Sequence, residues 1–98
     1  MKKLEMIKVF AGLNGDNIRV DEVCGYAWLH STGETYNPIT DLALNCAARD
    51  KYYVEVDYKS QSVYIFKSLT QVHASYYKEC DLCKAVIHCI LKSEGLWK

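Results

Sequence analysis

From Lys2 to Leu13 the chain reads KKLEMIKVFAGL, and its apolar residues Leu4, Ile7 and Val9 to Leu13 fall on one helical face. Asn14-Gly15 follows as a stop signal, so a first helix is predicted over about Lys2 to Leu13. The next stretch mixes signals. Ile18, Val20 and Val23 suggest an extended entry, and GYAWLH a short strand closed by the Ser31-Thr32-Gly33 turn. In YNPITDLALNCAARDK, Asn37 suits an N-cap and Pro38 the first helical position, where a missing N–H costs nothing. Ile39, Leu42, Ala43, Cys46 and Ala47 then form an apolar stripe, which predicts a second helix from Pro38 to about Arg49. Tyr52, Val54, Val56 and Tyr58 alternate with Tyr53, Glu55 and Asp57 at a period of two. Lys59-Ser60-Gln61 has the length of a hairpin loop, Val63 to Phe66 make the return strand, and LTQVHASYY adds a weaker third. A last helix starts near Glu79 and stops at Gly95.

The pattern predicts one α+β domain over residues 1–98, with three helices packed on a small, mostly antiparallel sheet. The order is helix, strand, helix, hairpin, helix. Its 50% hydrophobic and 24% charged residues are ordinary for a globular chain. Twelve basic residues balance twelve acidic ones, interleaved along the chain. That argues against direct nucleic-acid binding, which needs a basic run, and against an acidic DNA mimic. No window approaches a membrane span of about 20 apolar residues. The opening residues resemble a signal peptide, but Glu5 and Lys8 interrupt its apolar core. A cytoplasmic chain with reduced thiols is therefore expected, and five cysteines argue against a disulfide framework.

The segment ECDLCKAVIHC concentrates the candidate chemistry. On a helix over residues 80–94, Lys84, His88 and Lys92 form one polar stripe, and the remaining circumference is almost all apolar. Such a helix is buried on most sides, with Cys83 and Cys89 as small apolar residues and His88 on the solvent stripe. A zinc site would use Cys80 and Cys83 with further ligands such as Cys24 or Cys46, but no second closely spaced pair exists. A redox reading places Cys80 and Cys83 at a helix start, where the dipole favours thiolate, yet Glu79 and Asp81 oppose it. His30, His73 and His88 are scattered, and Asp21-Glu22 and Glu55/Asp57 are spaced like solvated faces. GLNG lacks the context of a phosphate loop. The expectation is a protein that is not an enzyme and needs no metal or cofactor.

Eight tyrosines in 98 residues are the most informative excess. A small core cannot take them all, because each buried hydroxyl needs a partner, so some face solvent and suit contacts with proteins or planar ligands. Tyr26, Trp28, Tyr36, Tyr53, Tyr64, Tyr76 and Tyr77 are the aromatic binding candidates. Asn37, Thr40 and Asp41 join them as a helix start whose N–H groups could receive an anion or amide.

TYNPITDLALNCAARDKYYVEVDY, then VYIF, then CDLCKAVIHCILKSEG resembles the small phage proteins of the ABA-sandwich group, NinX-type proteins among them. The matching positions are Tyr36, Pro38, Thr40 and Asp41, the hairpin, and Ala85 to Leu91, across roughly residues 35 to 95. The amino-terminal third has no clear correspondence, and Lys84 stands where a small residue would be expected. The resemblance implies an α+β sandwich of phage or prophage origin and supplies no catalytic residues.

The leading expectation is thus a small phage accessory protein that binds and inhibits a host protein, an anti-defence factor being one form of this. A second is a sponge for a nucleotide-like signalling metabolite, for which a homo-oligomer would help by forming the pocket between subunits. The third is a zinc or thiol-redox protein built on Cys80 and Cys83.

Overall fold

The structure is a computed structural model that describes residues 1–78 and 81–97. It is an α+β fold. Helix α1 (Lys3–Asn14) leads into the hairpin β1 (Ile18–Asp21) and β2 (Tyr26–Leu29). Helix α2 (Leu42–Lys51) follows, then strands β3 (Glu55–Asp57), β4 (Ser62–Phe66) and β5 (Val72–Tyr76), and finally α3 (Leu82–Ser93). The strands form two small antiparallel sheets, β1-β2 and β3-β4-β5, where the sequence pattern predicts one.

The two hairpin turns are built alike. Asp21 Oδ1 accepts the N–H groups of Val23 and Cys24, and Asp57 Oδ1 those of Lys59 and Ser60. Each four-residue loop then closes through a left-handed residue, Gly25 in the first and Gln61 in the second. The backbone hydrogen bonds hold both carboxyls below the usual carboxylate range, with the bonds from Cys24 and Ser60 contributing most.

α3 is the centre of the core. Ala85, Val86, Ile87, Cys89, Ile90 and Leu91 are all fully buried, against Val63 and Ile65 of β4, Met6, Ile7 and Phe10 of α1, and Ala48 of α2. Burying each large aliphatic side chain contributes roughly 1.5–3 kcal/mol, which makes this helix the main source of stability. The expected start near Glu79 lies outside the described residues.

The second helix departs from its predicted outline. It begins at Leu42, because Asp41 rather than Asn37 is the cap: its carboxylate accepts the N–H groups of Ala43 and Leu44. Asn37 and Pro38 instead shape a preceding turn, with Asn37 Oδ1 accepting from Ile39 N–H and its carbonyl from Thr40 and Asp41. The buried face is also different. Leu42, Ala43, Cys46 and Ala47 are exposed, while Asn45 and Ala48 are buried with Leu44 half-buried beside them. Hydrophobicity alone misplaces this face because Asn45 points inward. Its Nδ2 donates to Pro38 O (2.7 Å) and Cys83 O (3.0 Å), joining α2 to its entry turn and to the first turn of α3.

The predicted strand over Tyr52 to Tyr58 is shortened for a related reason. α2 runs on to Lys51, so Tyr52 and Tyr53 serve its C-terminal cap. All three helices end through the same backbone loop, closed by the bonds Asp16 N–H to Ala11 O, Val54 N–H to Arg49 O and Leu96 N–H to Leu91 O, each 2.9 Å. The left-handed residue in that loop is Gly15 in α1 and Gly95 in α3, but Tyr53 in α2, at φ 57° and 82% exposed. A side chain there costs roughly 1–2 kcal/mol of backbone strain. Tyr53→Gly should therefore raise stability by about 1 kcal/mol, after the greater unfolded-chain entropy of glycine is subtracted. A urea unfolding curve checks it, and a lowered midpoint would show that the ring holds the fold rather than straining it.

Candidate functional site

The three-stranded sheet has a covered face and an open one. Alternation along β4 sends Val63 and Ile65 toward α3 and sends Ser62, Tyr64 and Phe66 to the opposite side. The register carries this across both neighbours. Val72, Ala74 and Tyr76 of β5 and Glu55 and Asp57 of β3 share the outer face with them. Tyr64 and Phe66 pack edge to face with ring centroids 5.2 Å apart. Phe66 is 59% exposed, Val72 49% and Tyr76 64%, and Leu69 in the β4–β5 loop is fully exposed. Among the described helices α3 makes the main contacts with β4 and β5, on the inner side, while on the outer side Ser62 is buried and Tyr64 half-buried. Glu55 and Asp57 give it an acidic margin. Desolvation, and then the Glu55 carboxylate, push the Tyr64 phenol above its ordinary value.

The sequence-derived candidates divide among three places. Tyr64 and Tyr76 lie on the open face. Tyr26 and Trp28 are on the outward side of the first hairpin, where they line an open hollow of about 530 Å³ with Ala27, Gly33 and Thr35. Tyr53 stands alone at the end of α2, and Tyr77 is half-buried against the core. Tyr36 lies in the core, not on a surface: it is 1% exposed, and its hydroxyl donates to Asp16 Oδ2 at 2.7 Å. Burial, and then the hydrogen bond to Asp16, push its phenol far above the usual range. Asn37 and Asp41 spend their side-chain oxygens on their own backbone, so the helix start is capped from within, while Thr40 is exposed. Phe66, Leu69 and Val72 were not singled out from the sequence. The signal for Phe66 and Val72 is parity, since Phe66 follows Tyr64 by two residues and Val72 precedes Tyr76 by four; Leu69, in the loop, has no such signal.

Compared with known proteins, the chain matches no family model, no curated protein and no solved structure.

The cysteines are spread over several environments. Cys24 and Cys46 are exposed, Cys83 is half-buried and Cys89 is buried. Among the described residues no three His, Cys, Asp or Glu side chains gather as a metal site, and Cys80 lies outside those residues. The Asp21 carboxylate raises the Cys24 thiol, while burial and then Asp81 raise Cys83. Cys89 donates to His73 O at 3.3 Å, and burial pushes its thiol up to about 11. Iodoacetamide at mildly alkaline pH should therefore leave Cys89 unmodified in the folded protein and label it fully in urea, as peptide mass spectrometry would read out. Labelling of Cys89 as fast as Cys46 without denaturant would contradict its burial.

His88 does not lie on a solvent stripe. It is half-buried, with Nδ1 3.2 Å from Ser75 Oγ and its ring 3.9 Å from that of Trp97, centroid to centroid. The stripe folds back on β5 and the carboxyl-terminal residues, and Lys92 Nζ there donates to Ala74 O (2.7 Å). Burial lowers the His88 pKa, and the charges of Lys92, Lys84 and the amino terminus add to the effect. The unfolded chain thus binds a proton that the folded chain refuses. This contribution to stability is present above the ordinary histidine value near 6.5 and is lost as pH falls toward the lowered folded value. The urea midpoint should drop between about pH 7.5 and pH 5.5, and His88→Gln should flatten that slope. An equal slope in the variant would assign it to other groups.

Proposed function

We propose that this chain is a binding protein, and that its docking surface is the open outer face of β3, β4 and β5. The observation that carries the reading is the row Tyr64, Phe66, Val72 and Tyr76 on the sheet face turned away from α3, with Phe66, Val72, Tyr76 and the loop residue Leu69 exposed. Aromatic rings on a rigid sheet bury large area at small entropic cost, which is the composition of protein-binding hot spots. Glu55 and Asp57 at one margin favour a protein partner that presents an apolar contact flanked by lysine or arginine. The resemblance of residues 35 to 95 to phage ABA-sandwich proteins supports the finer form of this reading. In that form the chain is a phage accessory protein, working in the cytoplasm of a bacterium, and its partner is a host protein that it blocks. No described helix is long and apolar enough to cross a membrane.

A second reading rests on the hollow beside Tyr26 and Trp28. Two aromatic side chains at an open hollow suit a planar, nucleotide-like ligand.

One experiment separates the two. Wild-type protein, a Phe66→Glu/Tyr76→Glu variant and a Tyr26→Ala/Trp28→Ala variant are each used as bait in bacterial lysate. The docking reading expects a stoichiometric protein retained by the wild type and the hairpin variant and lost by the sheet-face variant. Equal retention by all three would remove the open face as the docking surface. For the second reading, nucleotides are added to purified protein. A ligand at 100 times its Kd adds ~2.7 kcal/mol of stability, and the hairpin variant should lose that gain.

A further inference from the structure

The first hairpin has an edge on which, among the described residues, no strand lies, and backbone hydrogen bonds tell which residues face it. One pair before the β1–β2 ladder, His30 N–H donates to Asn17 O (3.0 Å), so Asn17 and His30 are a bonded pair. Bonded and non-bonded pairs alternate in an antiparallel ladder. Arg19 and Asp21 therefore bond toward β2, while the N–H and C=O of Ile18 and Val20 point away from it. The far side of β2 agrees with this direction. There Leu29 N–H donates to Glu34 O (2.8 Å) and Tyr36 N–H to Ala27 O (2.9 Å), so β2 is flanked on both sides and β1 on one. Helix α1 stands back from the open edge. Lys8, Ala11 and Gly12 line a hollow of about 310 Å³ with Asn17, Ile18 and Val20, and a Cβ on Gly12 would meet nothing within 4 Å.

This edge is self-complementary. Turned about a two-fold axis through Val20, a second copy sets Val20 against Val20, Ile18 against Glu22, and Arg19 against Asp21 twice. Opposite charges facing each other across a strand pair are favourable, and both contacts lie on one face of the sheet. Arg19 is exposed and, among the described residues, has no ion-pair partner. Asp21 is held charged by its own turn, whose Val23 and Cys24 N–H groups both bond Oδ1. The Cys24 thiol also approaches that carboxylate, but a thiol is a far weaker donor than a guanidinium. Other registers are worse. An axis through Arg19 opposes two guanidinium groups, and one through Ile18 sets Asp16 against Val20. At the β3 edge, where Val56 turns its backbone outward, the same operation opposes Glu55 to Asp57. That edge repels a second copy, whereas β1 attracts one.

We propose that β1 is a self-docking edge, through which two copies of this chain join their first hairpins into one sheet closed by two Arg19–Asp21 ion pairs. On the axis, Val20 N–H of each copy donates to Val20 O of the other. The strand has four residues, so the seam is short and the equilibrium depends on concentration. Its ion pairs are exposed at the surface, so it also weakens with salt. The inference stands apart from the docking face above, because pairing at β1 leaves the outer face of β3, β4 and β5 free.

Sedimentation velocity over roughly three decades of concentration tests it. Wild-type protein should show a mass that rises to two chains and levels there, and raising the salt from about 0.15 M to about 1 M should move that rise to higher concentration. Arg19→Asp, which sets carboxylates against each other at both ends of the seam, should move it at least about tenfold higher or abolish it. Val20→Pro should stay at the mass of one chain, since the Val20 N–H faces away from β2 and its loss spares the hairpin ladder. If the proline variant folds poorly, Arg19→Asp decides alone, because Arg19 is exposed and its replacement leaves the core intact. Phe66→Glu should associate as the wild type does. Three results overturn the proposal: one-chain mass for the wild type throughout the range, association of Arg19→Asp equal to wild type, or loss of association in Phe66→Glu.

Discussion

The packing of α3 against the inner face of β4 and β5 is the constraint from which the other features follow. Six of its twelve residues are fully buried, and they meet side chains from both other helices as well as the sheet. A chain of 98 residues can build one such centre. Once α3 occupies one side of the sheet and α1 and α2 pack around α3, no described helix remains for the other side. An uncovered sheet face normally carries polar side chains. Here β4 and β5 place Tyr64, Phe66, Val72 and Tyr76 on it, although exposed positions could be polar at no cost to the fold. That excess of apolar side chains over what the core needs is the physical basis for reading the face as an interface.

Polar groups complete what apolar packing begins. Asn45 fastens α2 to α3, Tyr36 fastens the segment before α2 to Asp16, and Cys89 and Lys92 bond carbonyls of β5. Among the described residues no buried side-chain nitrogen or oxygen lacks a partner. Apart from the bond from Asn45 to Pro38 O, each runs from a side chain to a segment distant in sequence and fixes an orientation that burial alone would leave free.

The elements with strong periodicity were legible in the sequence: α1, the β3–β4 hairpin and the apolar character of α3. Their locations depend on local pattern, which one chain displays by itself. What was not legible depends on partners. Asn45 reads as a surface residue until the carbonyls of Pro38 and Cys83 are beside it, and that single inversion turned the predicted stripe of α2 outward. His88 reads as solvent-facing until Trp97 and Ser75 close over it. Tyr36 reads as one more exposed tyrosine until Asp16 supplies the acceptor that lets its hydroxyl be buried. The open face was half visible: Tyr64 and Tyr76 were named for being tyrosines, whereas Phe66 and Val72 needed the register of β5 to join them.

Among the described residues two that are not glycine hold left-handed backbone, Gln61 in a hairpin turn and Tyr53 at a helix end. Two of three helices end on glycine in the left-handed position, and α2 ends on Tyr53 with its side chain in solvent. Core packing does not require that ring, and the backbone is strained by it. Tyr53 lies two residues before Glu55, where β3 begins and the acidic margin of the open face starts. A strained, solvent-exposed aromatic ring is a residue that stability alone would not retain.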